Sequence, residues 1–323
     1  MKEKFLLILL SSLVLIILIP FCYSLVTNCE TTSSAYHRSP EPISSPPQLF
    51  GHLLEEIEKE ELITLITVGD VMLGRSVNAK MRSLNDFTYP FLKTAEFLRS
   101  ADLTFINLES PFYDDCPITN TGMILCADPR AIEGLILAGI DLANLANNHI
   151  RNYGQEGLNL TKSLLQDNFL TPLGPEQNLI IKKIKGTKFG FLGFDLTSGY
   201  QEEKVVEAIK KNKPQVDLLI VSFHWGIEYA QEPASWQIEL AHQVIEAGAD
   251  LILGHHPHVI QKVEDYHGSK IVYSLGNFVF DQPWSEETKK GLVGIFTFQD
   301  KKLIKSEFKE TYIHNYSQPD FVD

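Results

Sequence analysis

The sequence has no run of four or more lysines or arginines, and its formal net charge is −13. A sequence-independent grip on nucleic acid needs a basic face, so nucleic acid is excluded as a partner. Cysteine is scarce, four in 323 residues, and no Cys-x-x-Cys pair occurs. That excludes a thiolate zinc knot. No internal repeat runs through the chain, and no second linker divides it. An acidic chain without basic clusters can still hold an anion, but only through a local device such as a bound metal or a helix N-terminus.

What the sequence does have begins with one long apolar run. Residues 5–26, FLLILLSSLVLIILIPFCYSLV, carry no charge and follow Lys2 and Lys4. About 20 apolar residues span a bilayer, and preceding positive charge keeps the N-terminus inside. This predicts a cytoplasmic stub over 1–4, an uncleaved transmembrane signal-anchor over 5–26, and a cell-membrane protein whose domain lies outside the cytoplasm. A cleaved signal peptide is the alternative. No small-residue cleavage site is evident, and Pro20 and Phe21 are bulky neighbours for a lipoprotein cysteine at Cys22. Residues 27–60 are rich in Ser, Thr and Pro and then turn acidic, a solvated tether with little to bury. Cys116 and Cys126 flank the short loop PITNTGMIL. Outside the cytoplasm such a pair forms a disulfide, and two free buried thiols are the other reading.

From residue 61 to 315 strand-like and helix-like segments alternate, which predicts one α/β domain with a tail over 316–323. Helices are expected over 89–102, 128–139, 154–168, 204–212 and 233–248, and a hairpin around Gly186. Residues 269–280 and 292–308 read as β. Polar residues recur just after the apolar strands. Asp70 follows LITLITVG, and Asn107 and Glu109 follow LTFI. Asn147, Asn148 and His149 follow IDLANLA, and His224 and then Glu228 follow VDLLIVSF. ADLILG delivers His255, His256 and His258. In α/β folds ligands bind at the carboxyl ends of parallel strands. Core strands gain nothing by burying unpaired carboxylates and imidazoles. Taken singly, Asp70 and the asparagines fit as caps and His224 as a satisfied core histidine. Together they point to a metal centre of oxygen and imidazole donors suited to Mn, Zn or Fe(II). His256 and His258, two apart, face one way in extended backbone.

GDVMLGR (69–75), NLESP (107–111), ANNHIRNYG (146–154), SFHWGIEY (222–229), GADLILGHHPHVIQ (248–261) and YSLGNFVFD (273–281) resemble, in order, the blocks of CapA-type capsule-synthesis proteins, which are linked to assembly or export of poly-γ-glutamate. That family looks like a branch of the calcineurin-type metallophosphoesterases. The resemblance implies a four-layer α/β/β/α sandwich holding one or two divalent ions. It assigns Asp70, Glu109, Asn148, His224, His256 and His258 as ligands, Glu109 bridging, and His149 as the catalytic, substrate-facing histidine. Asn107, Asn147, Asn152, Glu228 and Asn277 would support these ligands or touch substrate, and His255 would be a bystander. Two positions depart from the pattern. Metallophosphoesterases place a histidine two residues after the first Asp, where this chain has Met72; unequal sites and substoichiometric metal are expected. The Asn-His block usually reaches an Asp, here Asn152. An amide positions His149 but does not favour its protonated form as a carboxylate would.

Three functions are compatible with these residues. The first is a membrane-anchored capsule or poly-γ-glutamate assembly factor, with the anionic polymer or its synthesis and export machinery as partner. The second is a metal-dependent phosphoesterase or other hydrolase with His149 as acid to the leaving group. The third is a surface binding module that keeps the fold without catalysis.

Overall fold

The structure, a computed structural model, describes residues 61–199 and 201–322. The anchor expected over 5–26, the tether, Cys22 and Cys29 lie outside these. Among the described residues no helix is long and apolar enough to cross a membrane.

Fourteen strands of the described residues form two mixed sheets. The first is built on β1 (Ile63–Val71), β2 (Leu103–Leu108), β3 (Leu142–Asn144) and β4 (Thr171–Leu173), side by side and parallel. β12 (Lys290–Gln299), β13 (Lys302–Ile313) and β14 (Pro319–Phe321) extend it antiparallel beyond β1. β11 (Asn277–Val279) pairs parallel with the end of β1. The segment expected as a tail over 316–323 thus contributes β14 to this sheet.

The second sheet holds β6 (Thr187–Asp195), β7 (Leu218–His224), β8 (Leu251–His255) and β10 (Ser269–Val272) in parallel. β5 (Ile180–Ile184) and β9 (Val263–Tyr266) close its edges antiparallel. The expected β run 269–280 is two strands in different sheets, and the run 292–308 is the hairpin β12–β13.

Both faces of the central strands are apolar, so each sheet must be covered twice. Alternate residues divide between the faces. Ile63, Leu65, Phe105, Leu142, Ile220 and Leu253 meet between the sheets. Ile66, Val68 and Ile106 instead face α1 (Arg75–Leu84), α2 (Ala95–Leu98), α3 (Ile132–Leu137) and α4 (Gly154–Asp167). On the second sheet Leu219, Val221 and Ile252 face α5 (Glu202–Asn212) and α6 (Ser235–Glu246). The helix expected over 89–102 is a 3₁₀ turn, Tyr89–Phe91, followed by the single turn of α2.

Candidate metal centre

Strand register assembles the site. In the first sheet Asn277, Asp70, Asn107 and Asn144 stand in one row across β11, β1, β2 and β3. In the second, Asp195, His224 and His255 stand in one row across β6, β7 and β8. Gly193 makes room between the sheets, since a Cβ there would sit 2.3 Å from the Asn144 side-chain oxygen.

Asp70 is fully buried and saturated with donors. Asn107 Nδ2 donates to its Oδ1 at 2.9 Å and His255 Nδ1 lies 3.1 Å from the same atom. The His256 backbone N–H donates to Oδ2 at 3.1 Å, and His258 Nδ1 lies 3.2 Å from it. Burial opposes ionisation here, but hydrogen bonds and charges from His255 and His258 outweigh it and hold the carboxyl well below the usual range. His255 is therefore a partner of Asp70 rather than a bystander.

Glu109 is the opposite case. It is fully buried, and neither carboxylate oxygen finds a hydrogen-bond partner among the described residues. The Nε2 atoms of His258, His149 and His224 lie 3.7, 3.9 and 3.9 Å from its Oε1, too far for hydrogen bonds. Burial, then the charges of Asp70 and Glu228, push its carboxyl well above the usual range. A carboxylate desolvated without partners is costly unless a cation completes it. With imidazoles around it and no thiolate, the donor set fits a divalent ion such as Mn, Zn or Fe(II).

The potential ligand atoms fall into two trios, each within 4.8 Å of one another: Asp70, Glu109 and His224, and Glu228, His256 and His258. Glu228, expected as a supporting residue, thus joins the histidine pair. Burial pushes the His224 imidazole well below its ordinary value and, with the neighbouring His258, takes His256 down to about 4. Asn148 Oδ1 lies 3.0 Å from His224 Nε2, beside the first trio. Met72 is buried with its sulfur accepting the Gly74 N–H. The extended backbone expected for His256 and His258 is not what brings them together. β8 ends at His255, and His256 (φ 95°) and His258 (φ 59°) are left-handed around Pro257. The rings approach through that turn, with centroids 5.8 Å apart.

His149 sits 6% exposed beside Glu109. Asn147 Oδ1 accepts the backbone N–H groups of His149 and Ile150, an Asx turn that fixes the residue's position. Asn152 Oδ1 lies 3.0 Å from His149 Nδ1 and also accepts the Leu125 N–H. An amide oxygen only accepts, so Nδ1 carries the proton and Nε2 turns towards Glu109. Burial outweighs that hydrogen bond and lowers the His149 imidazole below its ordinary value.

Sequence reasoning missed Arg75 and Asp281, which end two of the motif blocks. They form a buried ion pair, and Arg75 Nη1 also donates to Gly122 O in the loop closed by the Cys116–Cys126 disulfide. The signal available was a charged residue closing each block. Asn144, which donates to Asn107 Oδ1 at 3.1 Å, carried no comparable signal.

Several known proteins are similar to this chain. Capsule biosynthesis protein CapA of Bacillus anthracis is 30% identical over 263 residues, covering 73% of this chain and 64% of that protein. The match thus spans just under two thirds of that relative's length. PGA biosynthesis protein CapA of Bacillus subtilis (strain 168) is 30% identical over 257 residues, covering 72% of this chain and 67% of that one. Among solved structures, a hypothetical protein from Thermus thermophilus shares the fold with a TM-score of 0.52 at 15% identity, over 77% of this chain and 98% of that chain. The family described as bacterial capsule synthesis protein PGA_cap matches residues 64–282, a stretch that contains every site residue from Asp70 to Asp281, and to that family this chain belongs.

Proposed function

We propose that this protein acts in capsule or poly-γ-glutamate synthesis or export, on the outer side of the cell membrane and anchored by residues 5–26. Its site would hold an anionic group of the polymer, through a divalent ion, beside His149. The partnerless buried Glu109 carboxylate, ringed by three imidazoles, carries the metal reading. The polymer reading draws on relatives named as capsule and PGA biosynthesis proteins.

Asp70, Glu109 and His224 would hold the ion, with Asn107 and His255 fixing the Asp70 carboxylate. When bound, the ion supplies Lewis-acid charge for a carboxylate or phosphate. Asn152 keeps His149 Nδ1 protonated, so Nε2 is a free acceptor while the imidazole is neutral. An anion arriving beside it offsets the burial that disfavours the charged form. His149 would then take a proton from solvent at Nε2, becoming imidazolium, and share it with the anion in a hydrogen bond. This role suits a neutral resting imidazole better than that of a standing leaving-group acid.

Elemental analysis of protein purified without chelator and offered Mn, Zn or Fe(II) tests the reading. Wild type retains metal, and Glu109→Gln loses at least about ten-fold in affinity. His149→Ala keeps metal but loses retention of poly-γ-glutamate by the metal-loaded protein. A wild type that takes up no metal, or holds the polymer equally well with and without it, overturns the proposal. Protease added to intact cells lacking an outer barrier should remove the domain; a protected domain overturns the location.

A further inference from the structure

The buried pair of Arg75 and Asp281 holds no ion in the reading above, and packing alone does not explain it. Arg75 is 8% exposed and Asp281 6%. Burying two charges costs desolvation that their attraction repays only in part, so apolar side chains would fill this corner as well. Arg75 also opens α1 with left-handed backbone, φ 44°. A non-glycine residue keeps that conformation where its surroundings impose it, commonly where a ligand is clamped.

The guanidinium is braced from several sides. Arg75 Nε donates to Asp281 Oδ1 at 3.0 Å, and Nη2 donates to the same oxygen. Asp281 Oδ2 accepts the Ser76 N–H at 3.0 Å. Arg75 Nη1 donates to Gly122 O at 3.1 Å, in the loop closed by Cys116 and Cys126. The Leu125 N–H of that loop donates to Asn152 Oδ1, the atom beside His149 Nδ1. One loop thus braces both the guanidinium and the His149 imidazole. The guanidinium also lies 5.7 Å from the centroid of the Phe280 ring, and that ring packs on His258 at 4.6 Å. The charge of Arg75 is felt by Glu109, His149 and Tyr229, which follow β2, β3 and β7. It stands at the edge of the metal centre.

Three of the five guanidinium N–H groups are used in these bonds. The other two, one on Nη1 and one on Nη2, find no acceptor among the described residues. The remaining site residues are carboxylates, amides and imidazoles, so Arg75 adds a permanent positive charge to the site. Its planar fork matches the paired oxygens of a carboxylate or a phosphate.

We infer that Arg75 is an anion-binding residue, whose two spare N–H groups donate to the carboxylate or phosphate held beside His149. The substrate group is then an oxyanion with at least two free oxygens. The inference rests on the anion-binding reading above and deepens it by naming the residue that recognises the anion.

Calorimetric titration of the full chain with inorganic phosphate and with poly-γ-glutamate, Mn²⁺-loaded and metal-free, tests it. Arg75→Gln should keep the wild-type affinity for Mn²⁺ and lose at least about ten-fold in affinity for one anion or both. The anion that is lost identifies the chemistry recognised. Arg75→Lys keeps the charge without the fork and should recover only part of the loss. Added methylguanidinium should restore anion binding to Arg75→Ala. Thermal melts confirm that each variant is folded; if Arg75→Gln is not, wild-type anion affinity in Arg75→Lys overturns the inference. A folded Arg75→Gln that holds both anions like wild type also overturns it and leaves the metal reading standing. Loss of Mn²⁺ together with the anion makes Arg75 part of the frame and overturns it too. Anion binding that needs no metal but falls in Arg75→Gln overturns the metal reading and keeps this one. A wild type that binds neither anion in either state overturns both.

Discussion

The two trios are built from different materials. Asp70 and His224 lie within strands, and Glu109 follows β2 directly. All three are fully buried; parallel register sets Asp70 beside the end of β2, and the packing of the two sheets brings His224 against them. Glu228, His256 and His258 lie on turns, where His256 and His258 take left-handed backbone and His258 Nδ1 lies 3.1 Å from Asn277 Oδ1. Asp70 and His224 can therefore be changed only at a cost to the fold. The second trio can be changed at a cost to the site alone.

Asp70→Ala should give the largest effect. It unpairs Asn107, His255, His258 and the His256 N–H at once. Denaturant unfolding should show a loss of about 3–5 kcal/mol, against less than about 1 kcal/mol for Glu228→Gln. Equal losses would break the comparison.

Acid should come next. His256 falls to about 4 in the folded protein from an ordinary 6.5, so the unfolded chain binds more protons between those values. The stability of metal-free protein is then full above about pH 6.5 and falls as pH drops towards 4, by on the order of 3 kcal/mol from this group. His224 and His149, also lowered, act in the same sense. Glu109, raised above 4.5, acts oppositely. In Glu109→Gln, where that opposing contribution is gone, a stability profile flat from pH 7 to 5 would contradict the burial of these imidazoles.

Glu109→Gln should stabilise the metal-free protein by about 1–3 kcal/mol, because it removes a desolvated carboxylate without partners. The same change should steepen the acid-induced loss and abolish any rise in melting temperature on adding metal. A destabilised apo variant would mean that the carboxylate has a partner in solution.

The smallest effect is assigned to His255→Ala. Losing one donor to Asp70 should weaken metal binding at Asp70, Glu109 and His224 by about ten-fold. No change in metal binding would restore His255 to a bystander.

Much of this could be read from the chain. The apolar runs of β1, β7 and β8 and the polar residues at their ends are local patterns, and they predicted an α/β domain with its site at the strand termini; the layering was implied by the family resemblance. The Cys116–Cys126 bond followed from spacing and an expected compartment. Other elements were hidden for local reasons. β12 and β13 read as one strand because their turn, Asp300–Lys301, takes positive φ without glycine or asparagine. α1 went unseen because, among its ten residues, only Val77 and Met81 are buried apolar ones.

The sequence by itself determined which donors reach the site, since alternation along a strand and the placement of polar residues after it are properties of neighbours in the chain. Only the tertiary structure decided how they group. Whether Glu109 has a partner, which nitrogen of His149 and His258 is free, and that Glu228 stands with His256 and His258 depend on the packing of one sheet on the other, which brings the His256 N–H to Asp70 from 186 residues away, and on the backbone of two turns. Those are set by packing, which no local pattern encodes.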